Sequence, residues 1–226
     1  MEPKAKVWNS LLVISIVFIM VIGDCKKESD TKKKLYTADQ PIEDIDGNVY
    51  KTVKIGSQLW MAENLKTTRL SDGTIIPLVL SGLDYQRLTA PGYWGSGNCT
   101  FYNGYSINTG KLCPSGWRVP DYNDLTALIN YLGGPSVAGG KMKSASSPGE
   151  FGPNVGATNE SGFSAGFCGY RHEVSPGIFL YDGTDYTAIF LASGSVFDLE
   201  LGTAEVYYSL YSDKNGSGNI RCLKDE

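Results

Sequence analysis

The chain has 226 residues and only one histidine, His172. A multi-histidine metal site is therefore impossible. No two cysteines stand at C-x-x-C spacing, which removes zinc ribbons and thioredoxin-like chemistry. No long apolar run reaches the roughly 20 residues that a membrane-spanning helix needs. Basic residues are also scarce where a nucleic-acid binder would need them. From residue 41 onward there are 13 Lys+Arg against 19 Asp+Glu, a net charge of −6. Neither nucleic acid nor an anionic lipid surface is expected as a partner of that region. No internal repeat is visible.

What the N-terminus does have is the three-part pattern of an export signal. Lys4 and Lys6 supply positive charge, and residues 11–23 (LLVISIVFIMVIG) form thirteen uncharged residues, enough for a signal-peptide core but short of a span. The run stops at Ile22-Gly23-Asp24-Cys25, which resembles a bacterial lipobox, with Asp24 where Gly, Ala or Ser is usual. Residues 1–24 are thus expected to be a lipoprotein signal peptide and Cys25 the lipidated residue. An uncleaved N-terminal anchor is the alternative. In either case the chain is addressed to the cell envelope, held at a membrane.

Residues 25–40 would form a tether. Its charged, apolar-poor composition buries too little to offset ordering entropy. A short charged tail behind the anchor cysteine resembles the signals that send lipoproteins to the outer surface of the outer membrane, though a plain spacer explains it equally. Residues 41–226 are the right length for one domain. With Cys25 acylated, Cys99, Cys113, Cys168 and Cys222 remain, and in an oxidising compartment they allow two disulfides in three connectivities.

Within the domain, short alternating runs separated by Gly, Asn and Asp turns favour a β-rich α+β fold with long loops. Val49, Val53 and Ile55 alternate with polar residues after the turn signal Asp46-Gly47-Asn48, and residues 58–61 read as the next strand. Residues 186–192, 196–201, 206–211 and 219–223 read as later strands. One helix is clear: Asp121 caps it, Asp124 suits its dipole, and Leu125, Leu128, Ile129 and Leu132 make one apolar stripe ended by Gly133. A weaker helix is expected over residues 137–145.

The opening Asp46-Gly47-Asn48-Val49-Tyr50-Lys51-Thr52-Val53-Lys54-Ile55-Gly56, continued by Gln58-Leu59-Trp60-Met61-Ala62-Glu63-Asn64-Leu65, resembles the Fibrobacter succinogenes major paralogous domain family. So do Thr109-Gly110-Lys111-Leu112-Cys113-Pro114-Ser115-Gly116-Trp117-Arg118-Val119-Pro120, Thr158-Asn159-Glu160-Ser161-Gly162-Phe163-Ser164-Ala165 and Asn219-Ile220-Arg221-Cys222-Leu223-Lys224-Asp225. The resemblance implies a C-type lectin-like fold, in secreted and lipid-anchored bacterial proteins. It also implies a bridge from Cys113, beside the helix, to Cys222 on the final strand. Cys99 and Cys168 lie outside that pattern; their joint presence suggests a second bridge, the alternative being two buried thiols. Around residues 187–193 (TAIFLAS) the chain lacks the tryptophan-containing stretch common in relatives.

Catalytic patterns are thin. Gly162-Phe163-Ser164-Ala165-Gly166 matches the nucleophile elbow G-x-S-x-G, but the residues after it form a poor helix and His172 lies only eight positions on. The paired Glu-Pro-Asn and Trp-Asn-Asp patterns of calcium lectins are absent, so no metal or cofactor is expected. Tyr181, Asp182, Asp185 and Tyr186 are the candidate ligand-binding residues, combining stacking faces with hydrogen-bonding groups. The expected function is a non-enzymatic binding or adhesion module for a glycan or surface protein. The alternatives are a structural envelope protein assembling with its neighbours, or a hydrolase using Ser164.

Overall fold

The computed structural model describes residues 40–146, 153–175, 178–182, 186–210 and 214–226. The signal peptide, Cys25, the tether before residue 40, Asp185 and Tyr211 lie outside the described residues. Strands β1 (Ile42–Glu43) and β2 (Val49–Tyr50) pair antiparallel around the Asp46-Gly47-Asn48 turn. Asp44 closes that turn by accepting from the Asp46 and Asn48 amides, both at 2.9 Å, and from the Tyr50 hydroxyl. Strands β3 (Thr52–Ile55) and β4 (Gln58–Met61) then form a tight hairpin in which Ile55 faces Gln58. Gly56 takes φ +61° there, the left-handed conformation that a first turn residue of this kind needs.

The middle of the chain supplies α1 (Gly82–Gln86), β5 (Tyr93–Ser96), β6 (Cys99–Asn103), α2 (Gly104–Ile107) and β7 (Trp117–Arg118). Helix α3 (Tyr122–Tyr131) starts on a reciprocal capping box, with the Asp121 carboxylate on the Asp124 amide at 3.0 Å and the Asp124 carboxylate on the Asp121 amide at 2.7 Å. Its stripe is inward: Leu125 and Leu128 are buried, Ile129 packs alongside and Leu132 completes it. Helix α4 (Pro135–Met142) starts earlier than residue 137, because Pro135 suits a first helical turn. It also ends earlier than residue 145, because Lys143 turns extended and sends its ammonium into a cage of carbonyls.

Strands β8 (Tyr170–Ser175), β9 (Ile178–Asp182), β10 (Tyr186–Phe190), β11 (Ser195–Glu200), β12 (Val206–Leu210), β13 (Ser217–Gly218) and β14 (Leu223–Lys224) complete the fold. The strands make antiparallel sheets in the orders β3-β4-β14-β7, β5-β6-β13-β8-β9 and β10-β11-β12, besides the β1-β2 pair. The architecture is α+β, mostly sheet with short helices, and all described residues fall within one compact unit spanning Tyr36–Glu226. No continuous strand covers the expected 219–223: β13 ends just before it, β14 begins at Leu223, and Asn219 makes a single isolated bridge to Ile189. β13 joins the five-stranded sheet and β14 the four-stranded one, so the last residues stitch two sheets together. Gly218 leaves no room for a side chain, since a Cβ there would run into the Phe190 ring.

The apolar stretch around residues 187–193 has a structural reason. Ala188 and Phe190 pack into one hydrophobic core, whereas Ile189 and Leu191 pack into a second, as strand alternation requires. Both faces of β10 are covered, so a continuous apolar run replaces alternation. Asp198 of β11 is the exception in this sheet, a nearly buried carboxylate that accepts from the Ser209 hydroxyl at 3.4 Å. Burial raises its carboxyl to about 6; the Ser209 bond opposes this and the Glu200 charge adds to it. A folded-state value above the unfolded carboxylate range means that the folded protein holds the proton longer. This contribution to stability is therefore fully present below about pH 4 and is lost as pH rises through about 6. Asp198→Asn should remove that loss, gaining about 1–3 kcal/mol over wild type between pH 4 and pH 7 in urea titrations. A difference that stays flat with pH would show that Asp198 does not titrate in this window.

Candidate functional site

Two disulfides brace the domain. Cys113 pairs with Cys222 (S–S 2.02 Å, sequence separation 109), and both lie in the first core. Cys99 pairs with Cys168 (Cα–Cα 5.3 Å, separation 69), so these are bridged rather than free thiols. The second bridge lies beside a cavity of about 280 Å³ lined by Asn64, Asn98, Ser144, Ser164, Cys168 and Arg221.

Arg221 organises this cavity. Its backbone sits between β13 and β14, where the Leu65 amide donates to the Ile220 carbonyl at 2.8 Å and the Met61 amide to that of Cys222 at 3.0 Å. The end of β4 and the loop that follows it are thereby zipped to the C-terminal segment, which brings Asn64 opposite Arg221. The Arg221 Nε–H donates to Asn64 Oδ1 at 2.8 Å, while Asn64 Nδ2 donates to the Asn98 carbonyl at 2.8 Å. The other end of the guanidinium donates to the carbonyls of Phe163, from Nη1, and Ser164, from Nη2 at 3.0 Å. Its Cζ lies 4.5 Å from the Phe163 ring centroid, and that ring packs edge-on against Trp60 at 5.7 Å.

The loop that aims those carbonyls is held by its own side chains. Asn159 and Ser164 both adopt left-handed backbone, φ 53° and 56°. Asn159 Oδ1 accepts from the Ser164 amide at 2.8 Å, and Asn159 Nδ2 donates to Ser164 Oγ at 2.8 Å. Such conformations cost on the order of 1–3 kcal/mol each unless the surroundings fix them, and here one amide side chain does so. The distant motifs at 58–65, 158–165 and 219–225 therefore converge on one guanidinium.

Arg221 is 2% exposed. Burial pushes its guanidinium down to about 9, against the pull of the Glu63 carboxylate. Lys51 and Glu63 are the other charged groups on the cavity wall, with Glu63 accepting from the Lys51 amide at 2.8 Å. Arg221 belongs to a block that the sequence already singles out. A lone arginine between Ile220 and Cys222, with apolar neighbours on both sides, was the available signal that it is a buried cation.

The other candidates are placed differently. Ser164 Oγ donates to the Gly162 carbonyl at 3.2 Å and accepts from an amide, so its described partners include no base. The chain continues from Ser164 through a short loop into β8, not into the helix of a nucleophile elbow. Tyr181 and Asp182 are ladder residues of β9, paired with Arg171 and Tyr170, and Tyr186 opens β10 opposite Glu200. These three are not in the described lining of the cavity. Among the described residues, no group of three His, Cys, Asp or Glu is placed to hold a metal, and no helix is long and apolar enough to cross a membrane.

Compared with known protein families, the chain matches the Fibrobacter succinogenes major domain over residues 53–224. No curated protein and no solved structure matches.

Proposed function

This chain belongs to the Fibrobacter succinogenes major domain family, and we propose that it serves as a lipid-anchored, non-enzymatic binding module of the cell envelope. Its ligand is a glycan or a surface protein, and its fold is C-type lectin-like. The observation that carries this reading is the cavity at Arg221: polar amide, hydroxyl and guanidinium groups gathered from distant segments and braced by a disulfide. Ser164, the nucleophile of the G-x-S-x-G pattern, is tied to a carbonyl and an amide. The test is a glycan-array screen of the full chain in detergent, run with calcium and with chelator. Reproducible binding to one sugar class supports the module. A blank on glycans, together with no crosslinked surface partner in cells, counts against it.

The envelope address rests on Cys25 and the export signal before it, with the outer membrane as the site of display. Cys25→Ala should abolish incorporation of labelled fatty acid and move the chain out of the membrane fraction. Unchanged labelling would exclude Cys25 as the anchor.

A second reading, a structural protein assembling with neighbours, draws on one feature of the surface. Ile75, Leu78, Leu80 and Leu83 are all exposed within one short stretch, Ile75 and Leu80 by more than 70%. Stable self-association of the purified chain would favour that reading over ligand capture.

A further inference from the structure

We infer that the Arg221 cavity receives a carboxylate carried by an acidic sugar of the uronic-acid class; this rests on the binding-module reading and names its ligand chemistry. Arginine is almost never fully buried unless it is paired with an anion. Arg221 is buried, yet none of the ion pairs among the described residues involves it. Its partners are three neutral oxygens: Asn64 Oδ1 and the Phe163 and Ser164 carbonyls. A guanidinium carries five N–H bonds, so two remain for a ligand, the number that a carboxylate accepts side by side.

A second buried cation among the described residues, Lys143, shows what complete internal satisfaction looks like here. The Lys143 ammonium has three N–H bonds and four carbonyl acceptors, those of Val155, Glu200, Leu201 and Thr203. Arg221 has the opposite balance, with more donors than acceptors, and it lies on a cavity wall. Lys51 adds a second positive charge to that wall and Glu63 a single negative one, so the wall stays positive on balance.

The lining selects a sugar as the carrier. Asn98 and Ser144 offer amide and hydroxyl groups to ring hydroxyls, and Ala62 with Cys168 of the second bridge supplies the apolar part of the wall for the C–H face of a ring. The volume of about 280 Å³ falls just under the range of drug-sized sites, which suits one ring rather than a peptide segment.

The test is calorimetric titration of the full chain in detergent with methyl glucuronide, galacturonate, methyl glucoside and a short acidic peptide. In parallel, the Arg221 Nε–H resonance is followed by NMR. A uronate should bind roughly tenfold or more tightly than the neutral glucoside, and should shift that resonance. Asn64→Asp places a carboxylate against the Arg221 Nε, so it should abolish uronate binding, while losing the Asn64 Nδ2 bond to the Asn98 carbonyl should lower the thermal midpoint. The NMR readout on wild type stands even if that variant folds poorly. Equal affinity for the neutral sugar, preference for the peptide, or uronate binding that leaves the Arg221 signal unmoved overturns the inference while the binding-module reading stands. Failure of every glycan and every surface partner defeats both.

Discussion

Lys143→Met is expected to destabilise the folded chain by about 3–5 kcal/mol, the cost of breaking a buried charged cluster by removing its cation. The side chain is fully buried, and its ammonium donates to the carbonyls of Thr203 at 2.6 Å, Val155 at 2.7 Å, Glu200 at 2.9 Å and Leu201 at 3.3 Å. Burial pushes the ammonium down to about 8, with the Glu200 charge opposing. The carbonyl dipoles also hold the proton in place, so the group is charged at neutral pH. Methionine keeps the unbranched shape, one atom shorter, but offers no donor, leaving several inward-facing carbonyls dry, each worth on the order of 1–3 kcal/mol. Those carbonyls belong to two segments, at Val155 and at residues 200–203, which are also joined by the Val155 amide donating to the Leu201 carbonyl at 2.9 Å. The thermal midpoint should fall by roughly 10 °C or more, and urea titration should give the free-energy loss. A loss below about 1 kcal/mol would mean that the cage relaxes or fills with water, and that Lys143 is not its keystone.

Removing the Cys113–Cys222 bridge by the double change to alanine should cost about 4–5 kcal/mol, since the closed loop spans a sequence separation of 109. The chain-entropy model gives the Cys99–Cys168 bridge, with a separation of 69, nearly as much, about 4 kcal/mol. The surroundings separate the two. Cys113 and Cys222 sit in the first hydrophobic core, so alanine there also leaves unfilled space, whereas Cys99 is only half-buried. The Cys113/Cys222 variant should therefore be the less stable of the two double variants. It should also loosen Arg221, its immediate neighbour, and weaken any ligand held by the cavity. The measurement is urea unfolding of both variants beside the oxidised wild type. If the Cys99/Cys168 variant proves less stable, core packing around Cys222 is not what sets the order.

Much of the framework was legible because it depends on neighbours in sequence. The i, i+3, i+4, i+7 stripe of Leu125, Leu128, Ile129 and Leu132, with Asp121 before it and Gly133 after it, specifies α3 by turn geometry and capping alone. The β3–β4 hairpin arises from a two-residue turn with glycine at its first position. The later strands were located within one or two residues. The pieces β5, β6, β8 and β9, by contrast, escaped a reading based on alternation, as did the split of the last strand into β13 and β14. Strands only two to six residues long, with Gly and Asn at their ends, carry too little periodicity to stand out.

The sequence by itself determined the helix, the family framework, the charge balance that speaks against nucleic acid, and the count of cysteines free to pair. Only the tertiary structure decided which groups meet. Asn64 and Arg221 are 157 residues apart, Phe163 and Arg221 are 58 apart, and Lys143 reaches carbonyls up to 60 residues away. Local propensity and hydrophobic period act over a turn of helix or a strand pair, a handful of residues. Bringing a guanidinium or an ammonium to oxygens so distant is the work of chain crossing and core packing. The direction of a buried cation's hydrogen bonds therefore has no counterpart in the order of residues.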